Sequence, residues 1–378
     1  MHNNIYRQQI LPRLCFFPYF LTKLILTCLS ASQCHSKSNP PLSTDAQLCI
    51  EAGTRGWDSI ELKELYQSAC EYLGANNVHR LVVHQKTGYI QQISNIFEKK
   101  RITHYLFDPR TGNPKTSFWL PVWQSIRIAI FLHKRGIIPI VLLTDLAVRS
   151  WRTQAAVVSA SRGVVVCFMA PSRVQAIFPH NRLVGPSLMP FSVKTSSMLD
   201  QLMLKKNKNK PPKAMFTGSL YEPRTTKLHT IREGLKLLGV DFELRGRTMG
   251  SARISDLEYW SCLTFSDIVV TTSDQAIQVC ADWNHVPHLI YRYLEVLASG
   301  SLLIAQDVPC VRRYFTPGIH FIAFESCENA ISLISHYLDS EDERLAIANQ
   351  GKHRADALIK ARSFWVQIDT CLGKNSIL

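Results

Sequence analysis

The sequence predicts an α/β protein of two doubly wound, Rossmann-like domains facing a cleft, and three observations predict it. Short apolar runs of strand length alternate with longer amphipathic or polar stretches, the pattern of parallel strands covered by helices. The alternation breaks once, at KKNKNKPPK (residues 205–213), and then restarts. With 378 residues, 46% hydrophobic and 19% charged, the chain can bury two cores of ordinary size and does not have a disordered protein's composition.

Residues 1–47 read as an N-terminal extension. Its stretch LPRLCFFPYFLTKLILTCLSASQC is apolar, with Arg7 and Arg13 at its start and Ser30 and Ser32 as small residues near its end. That is the outline of a secretory signal or a short membrane anchor. Pro18 and Lys23 interrupt the run, so no clean span of the ~20 residues that a membrane helix needs is left. A signal, a segment lying on a membrane and an unstructured extension are the alternatives. Residues 32–47, rich in Ser, Pro and Asn, read as a linker.

The first domain is expected over 48–204, with strands in HRLVVHQ, ITHYLFD, IIPIVLLTD and GVVVCFMAP. The loops at their C-terminal ends, where open α/β sheets present ligand-binding groups, carry His84, Lys86 and Gly88, then Asp108, then Asp145. Residues 205–213, with five lysines, two prolines and no apolar side chain, cannot enter a core and predict an exposed linker between domains.

The second domain is expected over 214–378. AMFTGS is a strand ending in glycine, and Pro223 to Leu238 is a helix whose Leu228, Ile231, Leu235 and Leu238 share a face until Gly239 stops it. VDFELRG is the next strand, followed by a helix through Leu257 and Trp260 and the strand DIVVTTS. A helix from Tyr291 ends at Gly300, the strands SLLIAQ and HFIAF follow, and helices close the chain.

Charge is divided unequally. Residues 1–213 hold 27 Lys and Arg against 10 Asp and Glu, whereas 214–378 hold 16 against 19, so the halves are +17 and −3 within a total of +14. The first half is built to face something anionic: phospholipid, nucleic acid or an acidic acceptor. The 11 cysteines are scattered singly with no C-x-x-C, which fits reduced thiols in a cytoplasmic compartment and ranks secretion last. CADWNHVPH (280–288) gathers Cys280, Asp282, His285 and His288, but nothing pairs them with a second ligand group at zinc-type spacing, so neither metal nor cofactor is expected.

The chemistry concentrates in the second half. Gly218 and Ser219 end a strand before a helix whose first turn adds Arg224 and Lys227, a start that suits a phosphate. LRGR delivers Arg245 and Arg247 to the same edge, which favours a diphosphate pocket. Within YRYLEVLASG, Glu295 is a carboxylate on an apolar helical face three residues after Arg292. It is either half of an intrahelical ion pair or an acceptor for a ligand's hydroxyls.

The order FTGSLYEPR, LRG, YRYLEVLASGSLLIAQDVP and YFTPGIHFIAF, over roughly residues 214–351, resembles the C-terminal half of group 1 glycosyltransferases of GT-B fold, closest to the spore-maturation-protein (CgeB-like) branch. Glu295, Gly300 and the Pro317-Gly318 turn are the most telling positions. The resemblance implies that Glu295 accepts hydrogen bonds from the ribose of a nucleotide-sugar donor, with Gly218 and Arg224 by its diphosphate. Many of these enzymes carry a second glutamate eight positions earlier; here Pro287 stands there, and His285 or His288 is the candidate substitute. No D-x-D occurs, in keeping with a diphosphate neutralised by arginines and helix ends.

The expected function is therefore transfer of a hexose-type sugar from a nucleotide-diphosphate donor to an unknown hydroxyl acceptor, a glycan or lipid-linked molecule, by a cytoplasmic, membrane-peripheral enzyme. Arg224 with Arg245 or Arg247 would stabilise the leaving diphosphate, and Gly218, Ser219, Arg292, Glu295 and Gly300 would bind the donor. His84, Asp108 and Asp145 are the acceptor-side candidates. The alternative is a basic binding protein for a membrane surface or nucleic acid that keeps a nucleotide-binding fold. No aromatic-basic RNA-binding motif occurs, so nucleic acid is not expected, and the lack of G-x-G-x-x-G argues against a nicotinamide enzyme.

Overall fold

The structure, a computed structural model, describes residues 18–28, 42, 45–53, 59–83, 89–108, 119–144, 149–160, 163–168, 182–207, 210–247, 254–274 and 289–374. The chain divides into two compact units, Met1–Ser187 with Phe364–Leu378, and Leu188–Ser363.

The first unit alternates β1 (Leu48–Gly53), α1 (Ile60–Leu73), β2 (Val78–Val83), α2 (Tyr89–Lys100), β3 (His104–Phe107), α3 (Trp119–Lys134), β4 (Ile138–Leu143), α4 (Arg149–Ser159), β5 (Val164–Cys167) and β6 (Arg182–Val184). The strands form one sheet in the order β2-β1-β3-β4-β5-β6, and every pairing is parallel. Every residue of β3, β4 and β5 is buried, which is why they read as continuous apolar runs: a parallel sheet is covered on both faces. The four expected strands are present, and β1 and β6 add to them.

The second unit runs α5 (Val193–Met203), β7 (Ala214–Ser219), α6 (Arg224–Leu237), β8 (Phe242–Arg247), α7 (Asp256–Phe265), β9 (Ile268–Thr271), α8 (Arg292–Ala298), β10 (Leu302–Gln306), β11 (Ile322–Phe324), α9 (Cys327–Asp339) and α10 (Glu341–Lys360). Its sheet is also all parallel, in the order β11-β10-β9-β7-β8. Leu228, Ile231 and Leu235 of α6 are buried in one core with Phe216, Val270, Ile304 and Ile334. Leu238, expected on that face, is instead 58% exposed, because α6 ends at Leu237 and Gly239 turns the chain at φ +73°.

The division differs from the expected boundaries at two places. α5 belongs to the second unit, and the lysine-rich run does not separate the units. Ser196 Oγ donates to Asp356 Oδ1 at 3.1 Å, Lys206 pairs with Asp267 at 3.0 Å, and Lys213 pairs with Glu243. At the other end the helix α11 (Ser363–Lys374) enters the first unit from Phe364 onward. Trp365 is 1% exposed, donates from Nε1 to Ser68 Oγ of α1 at 3.1 Å and stacks on Tyr72, while Asp369 Oδ1 accepts from Leu42 N at 2.9 Å. These bonds join residues far apart in sequence, so no local pattern announces them.

Both sheets share one topology: the first strand lies between the second and the third. The switch points fall between β1 and β3 and between β7 and β9. In open α/β sheets ligands bind beyond the strand ends at such points.

Candidate functional site in the second unit

Beyond β7 and β9, four elements bring polar side chains together. The last residue but one of β7 is Gly218, whose φ of +148° a side chain rarely adopts; an added Cβ would lie 3.1 Å from Arg292 Nη2 and 3.2 Å from Phe216 Cζ. Glycine here lets the Arg292 guanidinium approach the strand end. The β7–β8 pairing puts Ser219 opposite Arg247, and Arg247 Nη2 lies 3.4 Å from Ser219 Oγ.

Arg224 opens α6 and is buried. It is 8% exposed and donates through Nε to Thr272 Oγ1 at 3.1 Å, through Nη2 to Thr272 O at 2.9 Å and through Nη1 to Ser219 O at 3.3 Å. Its guanidinium also sits 4.3 Å from the Tyr221 ring centre. The side chain thus straps the end of β7 to the end of β9 across the switch point, and burial pushes its pKa below the ordinary value. Lys227 pairs with Asp274 at 2.9 Å, and the Tyr221 hydroxyl donates to Asp274 O at 2.9 Å, tightening the same seam.

From the other side, α8 presents Arg292 and Glu295. Glu295 is 4% exposed; its Oε1 accepts from the Tyr259 hydroxyl of α7 at 2.8 Å, and its Oε2 lies 3.6 Å from Arg292 Nε. Arg292 Nη1 donates to the Tyr259 oxygen at 2.5 Å, and its guanidinium lies 5.2 Å from that ring's centre. The ion pair expected from the spacing of Arg292 and Glu295 is therefore present, completed by a tyrosine. Below it, Tyr293 bonds Ser273 Oγ at 3.1 Å and the Gln306 carbonyl, and Gln306 Oε1 accepts from Ser273 N at 2.8 Å.

Residues 224–368 match the family described as Glycosyl transferase-like. Among solved structures, Anabaena Alr3699/HepE in complex with UDP-glucose has a TM-score of 0.52 at 12% identity, over 86% of this chain and 98% of that one. Sucrose-phosphate synthase (tll1590) from Thermosynechococcus elongatus also has 0.52 at 12% identity, over 87% and 98%. A glycosyltransferase from Rickettsia africae ESF-5 has 0.50 at 10% identity, over 86% and 99%. The fold is GT-B. Curated protein sequences give no match.

In this GT-B chain the matched segment begins at the Arg224 strap and includes the Arg292–Tyr259–Glu295 cluster. Two sequence-expected donor residues stand elsewhere. Arg245 bonds Glu243 and lies 3.0 Å from Cys262 Sγ and 3.7 Å from Glu258, so it serves the β8–α7 seam. Gly300 ends α8 at φ +76°, where a Cβ would strike Met203 Cε at 2.5 Å; its role is to stop the helix against α5. The Pro317-Gly318 turn closes through Gly318 N to Phe321 O at 2.8 Å.

Asp108 follows β3 at the first unit's switch point and is 5% exposed. His84, Lys86, Gly88, Asp145, His285 and His288 lie outside the described residues, as does the Cys280–His288 cluster. Among the described residues no three His, Cys, Asp or Glu gather to hold a metal, and Cys28, Cys49, Cys70, Cys262 and Cys327 are in no disulfide. Sequence reasoning missed Tyr259, Thr272 and Ser273. The hydroxyl pair at the end of DIVVTTS was a readable signal, because it follows an apolar strand at its C-terminal end. Tyr259 gave none, since it joins Glu295 from another helix 36 positions away.

Proposed function

We propose that this protein is a glycosyltransferase that moves a sugar from a nucleoside-diphosphate sugar to a hydroxyl acceptor. The observation that carries the reading is a coincidence of place: the glycosyl transferase-like segment falls on the unit whose switch point gathers Gly218, Ser219, Arg247, Arg292 and Glu295. The UDP-glucose held by the Anabaena protein of the same fold supports a nucleotide sugar as donor.

In this reading Arg247 and Arg292 face the diphosphate and stabilise the charge that grows as the sugar departs. Glu295, fixed by Tyr259 and Arg292, orients the nucleotide through its ribose hydroxyls. Arg224 acts one step back, holding the two strand ends in register. His285 or His288 stands in for the glutamate that Pro287 replaces, Asp108 with His84 and Asp145 serves the acceptor, and the kinship is with the CgeB-like branch. Hydrolysis of UDP-, GDP- and ADP-sugars, run beside calorimetry with each nucleoside diphosphate, tests the reading. Turnover of one donor supports it, and absence of both turnover and nucleotide binding sinks it. Pro287 favours a second reading, a nucleotide-binding protein without transfer activity, for which tight binding without turnover is the expected result.

A further inference from the structure

The positive excess of the first half has a structural address. α2 and α3 end side by side, because Arg135, just past α3, donates to Glu98 Oε1 at 2.9 Å and to Ser94 Oγ at 3.2 Å on α2. Its guanidinium also lies 4.7 Å from the Phe131 ring centre. This clamp sets Lys99, Lys100 and Arg101 beside Lys134, and all four are exposed. Across residues 89–101 and 119–135 the sequence holds six Lys and Arg against Glu98 alone, and Arg135 already pairs with Glu98.

α3 extends this surface in a second way. Trp123, Arg127 and Lys134 recur at helical spacing on a face distinct from Val122, Ile126 and Ala129, which pack with Val157 of α4. Trp123 is 58% exposed. An indole standing in water one helical turn before Arg127 suits a boundary where charged and apolar surroundings meet.

We propose that the α2–α3 surface docks the protein on an anionic lipid bilayer, with Lys99, Lys100, Arg101, Arg127 and Lys134 against the headgroups and Trp123 in the interface. Nucleic acid would satisfy the cations and would stack a base on an exposed aromatic ring, but it offers little to an aliphatic group such as Leu24, 61% exposed on the helix at residues 18–28 of this unit. A bilayer accommodates both. The contact is a surface one: among the described residues no helix is long and apolar enough to cross a membrane.

The test is co-sedimentation of the full-length protein with vesicles of phosphatidylcholine alone and of equal parts phosphatidylcholine and phosphatidylserine. Each basic residue near such a surface strengthens binding roughly fivefold, so replacing Lys99, Lys100, Arg101 and Lys134 together with glutamine should weaken binding to the mixed vesicles several hundred-fold. Trp123→Ser should weaken it further and leave circular dichroism unchanged. Nucleotide calorimetry on the same variants should match the unmodified protein, which separates this inference from the glycosyl-transfer reading. Three outcomes overturn it: a folded quadruple variant that still binds mixed vesicles fully, equal binding to neutral vesicles, or a short single-stranded RNA that displaces the protein from the mixed vesicles at lower concentration than soluble phosphatidylserine does.

Discussion

Arg224→Ala is expected to loosen the second unit itself, beyond any loss of a ligand contact. The side chain is 8% exposed and makes three hydrogen bonds, to Thr272 Oγ1, Thr272 O and Ser219 O. Truncation leaves two carbonyls at the strand ends without that donor, and a buried polar group so left costs about 1–3 kcal/mol. Removing the cation also recovers its desolvation penalty, so a net loss of about 2–4 kcal/mol is reasonable. In a domain of 150–250 residues each kcal/mol moves the midpoint by about 2–4 °C, so the transition should fall by about 4–16 °C. Arg224→Lys keeps the charge but places one compact ammonium where a planar fork reaches three acceptors, and should fall in between. The assay is thermal unfolding by circular dichroism, with and without nucleoside diphosphate, beside calorimetric affinities. An Arg224→Ala protein that melts like the unmodified one yet loses diphosphate affinity would refute the strap and make Arg224 a direct ligand.

Glu295→Gln should keep the fold, because Tyr259 still finds an acceptor, and should weaken nucleoside diphosphate affinity roughly ten- to 150-fold by removing hydrogen bonds to a charged group; unchanged affinity would leave Glu295 as the partner of Arg292 and Tyr259 alone. Burial raises the Glu243 carboxyl, but hydrogen bonds from Lys213 and Arg245 outweigh it and hold the group below its ordinary pKa. Its stabilisation is then complete above the ordinary carboxylate value and lost as pH falls through the lower folded one. Glu243→Gln should erase that part of the pH dependence of urea unfolding, a change under about 1 kcal/mol for a partly exposed pair, and an unaltered acid slope would contradict it.

The sequence carried most of the second unit because β9 and most of β7 and β10 are buried and its helix ends are marked by Gly239 and Gly300, both at positive φ. β1 was harder to see: Glu51 interrupts LCIEAG, and a charged residue in a fully buried strand breaks the pattern that identified its neighbours. β6 is three residues long, too short for any periodicity. The boundary at 205–213 was misplaced for a related reason. Lysines without apolar neighbours look like a solvated linker, yet Lys206 and Lys213 bond to Asp267 and Glu243, partners 61 and 30 positions away. At the site, the pair Arg292–Glu295 was legible because both members lie on one helix turn. Arg224 was legible as a position and not as a role, since two of its three hydrogen bonds go to Thr272, past the end of a strand that begins 44 residues later.

Charge totals alone would send the diphosphate to the basic half, and the placement of the cations argues otherwise. In the second unit, described cations mostly have fixed internal partners: Lys227 with Asp274, Lys352 with Asp356 and Asp200, Arg344 on the carbonyls of Tyr337 and Leu338, Arg354 on that of Tyr314. A paired cation projects little field but is held in place, which is what recognition of one small dianion at contact distance requires. The α2–α3 cations are the reverse, exposed and with Glu98 as the one acidic residue across 89–101 and 119–135, so they act through a field that reaches a Debye length. Salt should therefore separate the two activities. Raising ionic strength from 0.1 M to 1 M shortens the Debye length from ~10 Å to ~3 Å, and should abolish vesicle binding while reducing nucleotide affinity far less, because buried contacts are screened weakly. Parallel loss of both across that range would mean that nucleotide and membrane are held by the same exposed charges, and Arg247 and Arg292 would lose the roles proposed for them.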